Sequence, residues 1–230
     1  MKAPLMLALD AATYTGTVAL MEGSRLLAER EVAMRGEREE RLMPAVEQLL
    51  GEAGVRPAEL ERVACGSGPG SFTSLRIAAS IAKGIASGRG IPLFTASSLL
   101  LMVAGSQAVD VPGRYLAVLD ALRGDVYAAG FEVLPRGRSA SGEDDIVEIA
   151  PTVLLALEDV DALARSLGAR RLGPREELAS LPRAAGFARL QGTLERSDAA
   201  DIASWEPDYG RLAEAQVRWE REHGRPLVHD

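Results

Sequence analysis

Two short stretches hold the residue types from which chemistry could be built. The first is ALDAATYTGTVAL at 8–20, an apolar run ending in Asp10 that passes through small and hydroxyl-bearing residues into a second apolar run. A carboxylate at a strand end can orient a metal-bound water, and turn amides can face phosphate oxygens. Turns that clamp phosphate usually hold glycine, because the backbone must come close. Here the turn reads Ala11-Ala12-Thr13-Tyr14-Thr15, so an ordinary polar hairpin is the competing reading. The second stretch is GSGPGSFTSLR at 66–76, with glycines at 66, 68 and 70 between a strand and a helix. An anion could sit at that helix N-terminus. The loop lacks the Gly-Lys-Ser/Thr ending of a Walker A motif, and Ser71 stands where GxGxxG needs its third glycine. The plain alternative is a tight strand-to-helix turn with Ser71 or Thr73 as the cap.

Missing residues narrow the chemistry further. The two histidines, His223 and His229, lie at the C-terminal end, and Cys65 is the one cysteine. There is no HxxxH, no CxxC and no Ser/His/Asp set with an internal histidine, which excludes a hydrolase or transferase built on histidine-held metal. A peptidase lacks a nucleophile–base pair. Asp10, Asp120 and Asp125 remain as magnesium carboxylates, although strand-end carboxylates are common without metal. The chain carries 26 Lys+Arg against 33 Asp+Glu, a net charge of −7, which argues against tight nucleic-acid binding by this chain alone. One cysteine cannot form an internal disulfide, which fits a reducing, cytoplasmic setting. No targeting segment is convincing. Residues 90–109 are free of charge over a membrane-spanning length. Pro92, Ser97, Ser98, Ser106 and Gln107 interrupt them, so a buried strand followed by a buried helix is expected.

The elements that must position these residues follow from periodicity. Apolar runs at 4–10, 15–21 and 25–33 predict an antiparallel meander. From Glu37 to Ala53, apolar residues at 42, 43, 46, 49, 50 and 53 predict an amphipathic helix ended by Gly54. Its opening, RGEREERLMP at 35–44, reads either as a solvated face, with a Glu37–Arg41 pair, or as a docking surface centred on Leu42 and Met43. A strand at 62–66, a helix at 73–88, a strand at 91–95 and a helix from Ser97 or Ser98 through Gly105 complete the first half. The 73–88 helix is rich in small residues. Gly84 inside it costs ~1 kcal/mol relative to alanine, so close packing is expected, either within the fold or against another chain. The second half predicts strands at 114–120, 125–133 and 145–150, a loose loop at 136–144 and helices at 161–168 and 208–223. Residues 170–200 carry poor signals. ALDA at 8–11 and VLDA at 118–121 both end a strand in aspartate, a weak repeat that two similar lobes would explain.

These residues resemble the bacterial TsaB (YeaZ) family. ALDAAT at 8–13, EERLMPAVEQLL at 39–50 and above all GSGPGSFTSLRIA at 66–78 carry the resemblance in the family's order. AKGIA at 82–86, GIPLFTASSL at 90–99, LDALRGDVYAA at 119–129 and Pro207-Asp208-Tyr209 extend it. Departures are Ala11 and Ala12 for hydroxyl residues, Arg38 and Glu39 for His-Ser, and Ser74 and Ala78 for glycines. The hairpin also resembles that of the actin, sugar-kinase and Hsp70 superfamily. The resemblance implies an α/β, actin-like ATPase (RNase H-like) fold of two lobes, each a mixed sheet flanked by helices. The expected division is an N-terminal lobe at 1–104, a smaller lobe at 105–206, and a C-terminal helix and tail at 207–230 that packs back on the first lobe.

For function, the resemblance implies a non-catalytic partner of the transferase TsaD, in the system that forms threonylcarbamoyladenosine at position 37 of tRNA, with TsaE as its ATPase. It also implies a homodimer in isolation, tRNA met only through the complex, and no membrane. No cofactor is expected on this chain, ATP and metal belonging to the partner subunits. The expected partner surface uses helices 37–53 and 73–88, through Arg38, Glu39, Arg41, Leu42, Met43, Val46, Ser71, Phe72, Thr73, Leu75, Arg76, Ala79 and Lys83. Asp10, Thr13, Gly68 and Gly70 would be a vestigial nucleotide-facing set. The alternative is an ATP-dependent phosphotransferase of the same fold.

Overall fold

The computed structural model describes residues 3–35, 40–109, 111–121, 124–135 and 145–210. Arg38, Glu39, the loop expected at 136–144, both histidines and residues 211–223 of the expected 208–223 helix lie outside the described residues, and the described Asp208–Gly210 are not helical.

Strand β1 (Leu5–Asp10) is buried along its whole length, as a near-continuous apolar run in mid-sheet must be. It pairs antiparallel with β2 (Thr15–Glu22), which pairs antiparallel with β3 (Arg25–Ala33). Helix α1 (Leu42–Glu52) follows. It starts later than the predicted Glu37: Arg41 is already the cap position, and the Glu40 carboxylate accepts the amides of Leu42 and Met43. Glu37, one half of the expected Glu37–Arg41 pair, lies outside the described residues. Gly54, at φ +65, closes α1 in the left-handed conformation that glycine tolerates. Strand β4 (Arg62–Gly66) lies parallel to β1, and β5 (Leu93–Ala96) parallel to β4, with α2 (Phe72–Arg89) as the crossover.

The second sheet repeats the first. Strands β6 (Gly113–Asp120), β7 (Asp125–Val133) and β8 (Ile146–Ala156) form a meander. After helix α4 (Val160–Leu167), β9 (Arg170–Gly173) runs parallel to β6 and β10 (Leu178–Ala179) parallel to β9. The sheets are thus ordered β3-β2-β1-β4-β5 and β8-β7-β6-β9-β10, the same arrangement read from the same end. This duplicated meander-plus-crossover is the actin-like fold expected from the sequence. The copy is incomplete, because only Pro174–Glu177 stand between β9 and β10 where the first lobe has the eighteen-residue α2.

Helix α3 (Ser98–Ala104), capped by the Ser97 side chain, sits between the sheets. Leu101 and Ala104 pack with the first sheet, and Leu99, Met102 and Val103 with the second. Burial from both sides is why the uncharged stretch at 90–109 looked membrane-like; among the described residues no helix is long and apolar enough to cross a membrane. Residues 184–205, expected in the second lobe, lie instead on the first. In the 3-10 segment Ala184–Arg189 and helix α5 (Gln191–Arg196), Ala184, Phe187, Leu190 and Leu194 cover Met6, Ala8, Ala19 and Met21 of its sheet. Ala200, Ile202 and Trp205 then join the core on its other face.

Candidate functional site

Asp10 ends β1 and is 1% exposed. Its Oδ2 accepts a 2.6 Å hydrogen bond from Ser98 Oγ, and its Oδ1 accepts from the Ala12 amide at 3.0 Å. Burial pushes the Asp10 carboxyl above its ordinary value of 3.8, and these two hydrogen bonds offset that shift only in part. The Ser98 hydroxyl accepts the Gly68 amide at 3.1 Å, so one serine links the hairpin aspartate to the glycine loop. Sequence reading missed Ser98 in this role. It treated 97 and 98 only as rival caps, and nothing local to ASSL signals a partner 88 residues away. Ser98 and Asp10 are both withdrawn from solvent, so the pair presents no nucleophile to a substrate.

The glycine loop is pressed onto the hairpin turn. The Ser71 amide donates to the Ala12 carbonyl at 2.7 Å, and a Cβ on Gly70 would overlap that same carbonyl. Ala11 and Ala12 are buried, and Thr13 folds back so that its Oγ1 accepts the Thr15 amide at 3.1 Å. The amides of Ala12, Thr15, Gly68 and Ser71 are therefore all committed inside the protein. Of the vestigial set, Asp10, Gly68 and Gly70 come together through Ser98 and Ala12, while Thr13 stays with its own turn. Among the described residues no group of three His, Cys, Asp or Glu side chains is placed to hold a metal ion.

The surface expected to meet a partner divides sharply. Leu42, Val46, Leu75 and Ala79 are at most 5% exposed and belong to the lobe's own interior. Leu42 and Val46 require correction: amphipathic spacing finds the apolar face of a helix, and here that face of α1 is spent on the first sheet, while Leu75 and Ala79 are simply buried on α2. Arg41, Thr73 and Arg76 are exposed, and Met43, Ser71, Phe72 and Lys83 are half-buried. Arg76 lies over the Phe72 ring at 4.9 Å, and Lys83 lies over Trp205 at 5.7 Å. Ser71 is the cap position of α2, but its hydroxyl pairs with Ser74 Oγ at 3.0 Å rather than with a backbone amide.

What α2 shows outward is a stripe that sequence reading named only as small residues. Thr73, Ser80, Gly84 and Ser87 are exposed and Ile77 is half-buried, at the spacing of one helix face. Among the described residues, a Cβ added at Gly84 would meet nothing within 4 Å. Of the two reasons offered for that glycine, close packing within the fold finds no partner among the described residues.

The family model described as TsaD, tRNA N6-adenosine threonylcarbamoyltransferase, matches residues 31–170, more than half of the chain. A Bacillus subtilis protein named tRNA threonylcarbamoyladenosine biosynthesis protein TsaB is 28% identical over 225 residues, covering 93% of this chain and 97% of that protein. The Escherichia coli protein of the same name is 36% identical over 127 residues, 55% of this chain and 54% of its own length. Among solved structures, YeaZ from Pseudomonas aeruginosa superposes with a TM-score of 0.71 at 26% identity, over 90% of this chain and 99% of that one. Another Pseudomonas aeruginosa structure, described as an uncharacterized protein with similarity to peptidase YEAZ, gives 0.74 at 26% identity.

Proposed function

The chain belongs to the family described by the TsaD model and, within it, to the TsaB (YeaZ) proteins, and on that premise we propose that it is the non-catalytic subunit that docks α2 against the threonylcarbamoyltransferase TsaD during tRNA modification. The observation that supports this reading most is the outward face of α2. A helix-interior glycine is costly for the folded chain, and at Gly84 no described residue stands within 4 Å of where a Cβ would be. A stripe of Thr73, Ser80, Gly84 and Ser87 lets a second helix backbone come close, with Met43, Ile77 and Ile81 as its half-buried apolar margin. In the absence of TsaD the same face would serve a second copy of this chain.

Chemistry is left to the partner. The hairpin and loop amides that would face a nucleotide phosphate are engaged internally, and the Ala12 carbonyl meets Gly70 where a phosphate clamp needs open space. We assign no nucleotide, metal or cofactor to this chain. TsaE and tRNA are reached through the complex. Two measurements test the reading. Reconstitution with TsaD, TsaE, tRNA and the threonylcarbamoyl donor is expected to modify tRNA only when this chain is present. Calorimetry of the chain alone with Mg-ATP is expected to show no binding heat. Nucleotide turnover by the isolated chain would replace the scaffold with the phosphotransferase reading.

A further inference from the structure

The segment that follows Trp205 touches both lobes. Pro207 is buried, and the Asp208 amide donates to the Ser67 carbonyl of the glycine loop at 2.7 Å. The Tyr209 ring lies 4.5 Å from that of Phe72, the first residue of α2. On the other side the Tyr127 hydroxyl, from β7 in the second sheet, donates to the Tyr209 carbonyl at 3.3 Å. Two glycines make this seat. Gly68, at φ +89, faces the Asp208 carbonyl, and Gly210, at φ +67, faces the Tyr127 ring; a Cβ on either would overlap what it faces. The Asp208 carboxylate accepts the Gly210 amide at 2.7 Å and so shapes the turn at the end of the seat.

We propose that Trp205–Gly210 is a releasable latch that ties the second sheet to the glycine loop and to the first turn of α2. Its hold is specific, because two left-handed glycines shape the contact. Trp205 anchors it in the first lobe's core and Pro207 is buried, and beyond them its described ties to α2, the glycine loop and β7 are one ring pair and two hydrogen bonds, with Asp208 and Gly210 exposed. Segments held in this way open well below the global unfolding free energy. Closed, the latch fixes Phe72, and with it the end of α2 that Arg76 covers. Open, it frees the loop and lets the lobes adjust their angle about α3. The latch rests on contacts within this chain and stands whether or not α2 meets TsaD.

Hydrogen exchange on the full chain tests it. The variants are Tyr209→Ala, which removes the ring pair, and Gly210→Val, which pushes the segment off Tyr127 while deleting no buried side chain. Both are expected to speed exchange of the Asp208 and Gly68 amides at least about tenfold while the β1 and β6 amides keep their protection. Spin labels at Glu47→Cys and Arg165→Cys read the lobes directly, since Cys65 is buried and escapes labelling. The distance distribution between them is expected to broaden in both variants. Unchanged exchange and an unchanged distribution in folded Gly210→Val would overturn the latch. So would exchange that speeds equally throughout the molecule, since that is global destabilisation.

Discussion

At the scale of single residues, the duplicated strand-end aspartates had opposite fates. Asp120 ends β6 as Asp10 ends β1, yet Asp120 is exposed and Asp10 is sealed beneath Ser98 and the glycine loop. A raised carboxyl pKa in the folded state means that the native protein binds its proton more tightly than the unfolded chain does. Asp10 therefore contributes most to stability at acid pH. That contribution falls as pH rises from 3.8 through the elevated folded value. Asp10→Asn keeps an acceptor for the Ala12 amide and offers Ser98 a donor in place of an acceptor, while removing the buried charge. It is expected to flatten the decline in stability as pH rises above 3.8. Melting curves of both proteins across that range decide the matter, and a loss of stability at neutral pH would show that the ionised carboxylate is needed. Ser98→Ala is the opposite case. It strips a hydrogen bond from a buried carboxylate and leaves the Gly68 amide unmatched, at a cost of about 2–3 kcal/mol read by urea denaturation.

At the scale of elements, α1 and α2 each have one face spent on the sheet and one left over, and substitutions separate the two. Leu42→Ala on the spent face removes a fully buried side chain packed against β2 and is expected to cost about 2–5 kcal/mol. Any loss of partner binding it causes would follow from unfolding. Gly84→Ala on the free face should raise the stability of the isolated chain by about 1 kcal/mol, because a helix gains from alanine where, among the described residues, no neighbour stands in the way. The same methyl group is expected to weaken association with TsaD. Denaturation and affinity moving in opposite directions is the signature to seek, and a variant both stabler and equally well bound would place the docking face elsewhere. The first lobe was legible because its signals are local: β3 and β4 fall at their expected residues, and Gly54 ends α1 as its position suggested. Which side of α2 faces outward was not legible, since small residues satisfy both a core and an interface. Residues 170–200 failed for a related reason. Arg170–Gly173 is only four residues long, and Ala184–Arg196 is held by distant contacts such as the Ala184 amide on Thr17 Oγ1 at 2.8 Å.

At the scale of the whole molecule, two sheets of one design are joined by what the repeat alone does not supply. The likeness of ALDA and VLDA foretold two lobes, but the joint is made by α3 and by the 184–205 stretch returning to the first sheet, both matters of long-range packing. That return places Arg189 against Asp145 at the start of β8, with Nε on Oδ1 at 2.8 Å and Nη2 on Oδ2 at 2.6 Å. The two side chains are each 16% exposed, so the pair is shielded from salt and its two-pronged geometry is fixed. Removing one partner from such a pair strands the other charge, which costs more than the pair itself contributes. Arg189→Met, keeping the apolar stem, is expected to destabilise the chain by about 2–3 kcal/mol, with little of that loss recovered in 1 M salt. Adding Asp145→Asn to it is expected to restore part of the loss, since the shielded carboxylate charge is then gone, and a double-mutant cycle measures the coupling. Because α3 contributes to both cores, unfolding should remain a single transition in every variant. Separate transitions for the two sheets in Arg189→Met would mean that the ion pair, rather than α3, makes the lobes one cooperative unit.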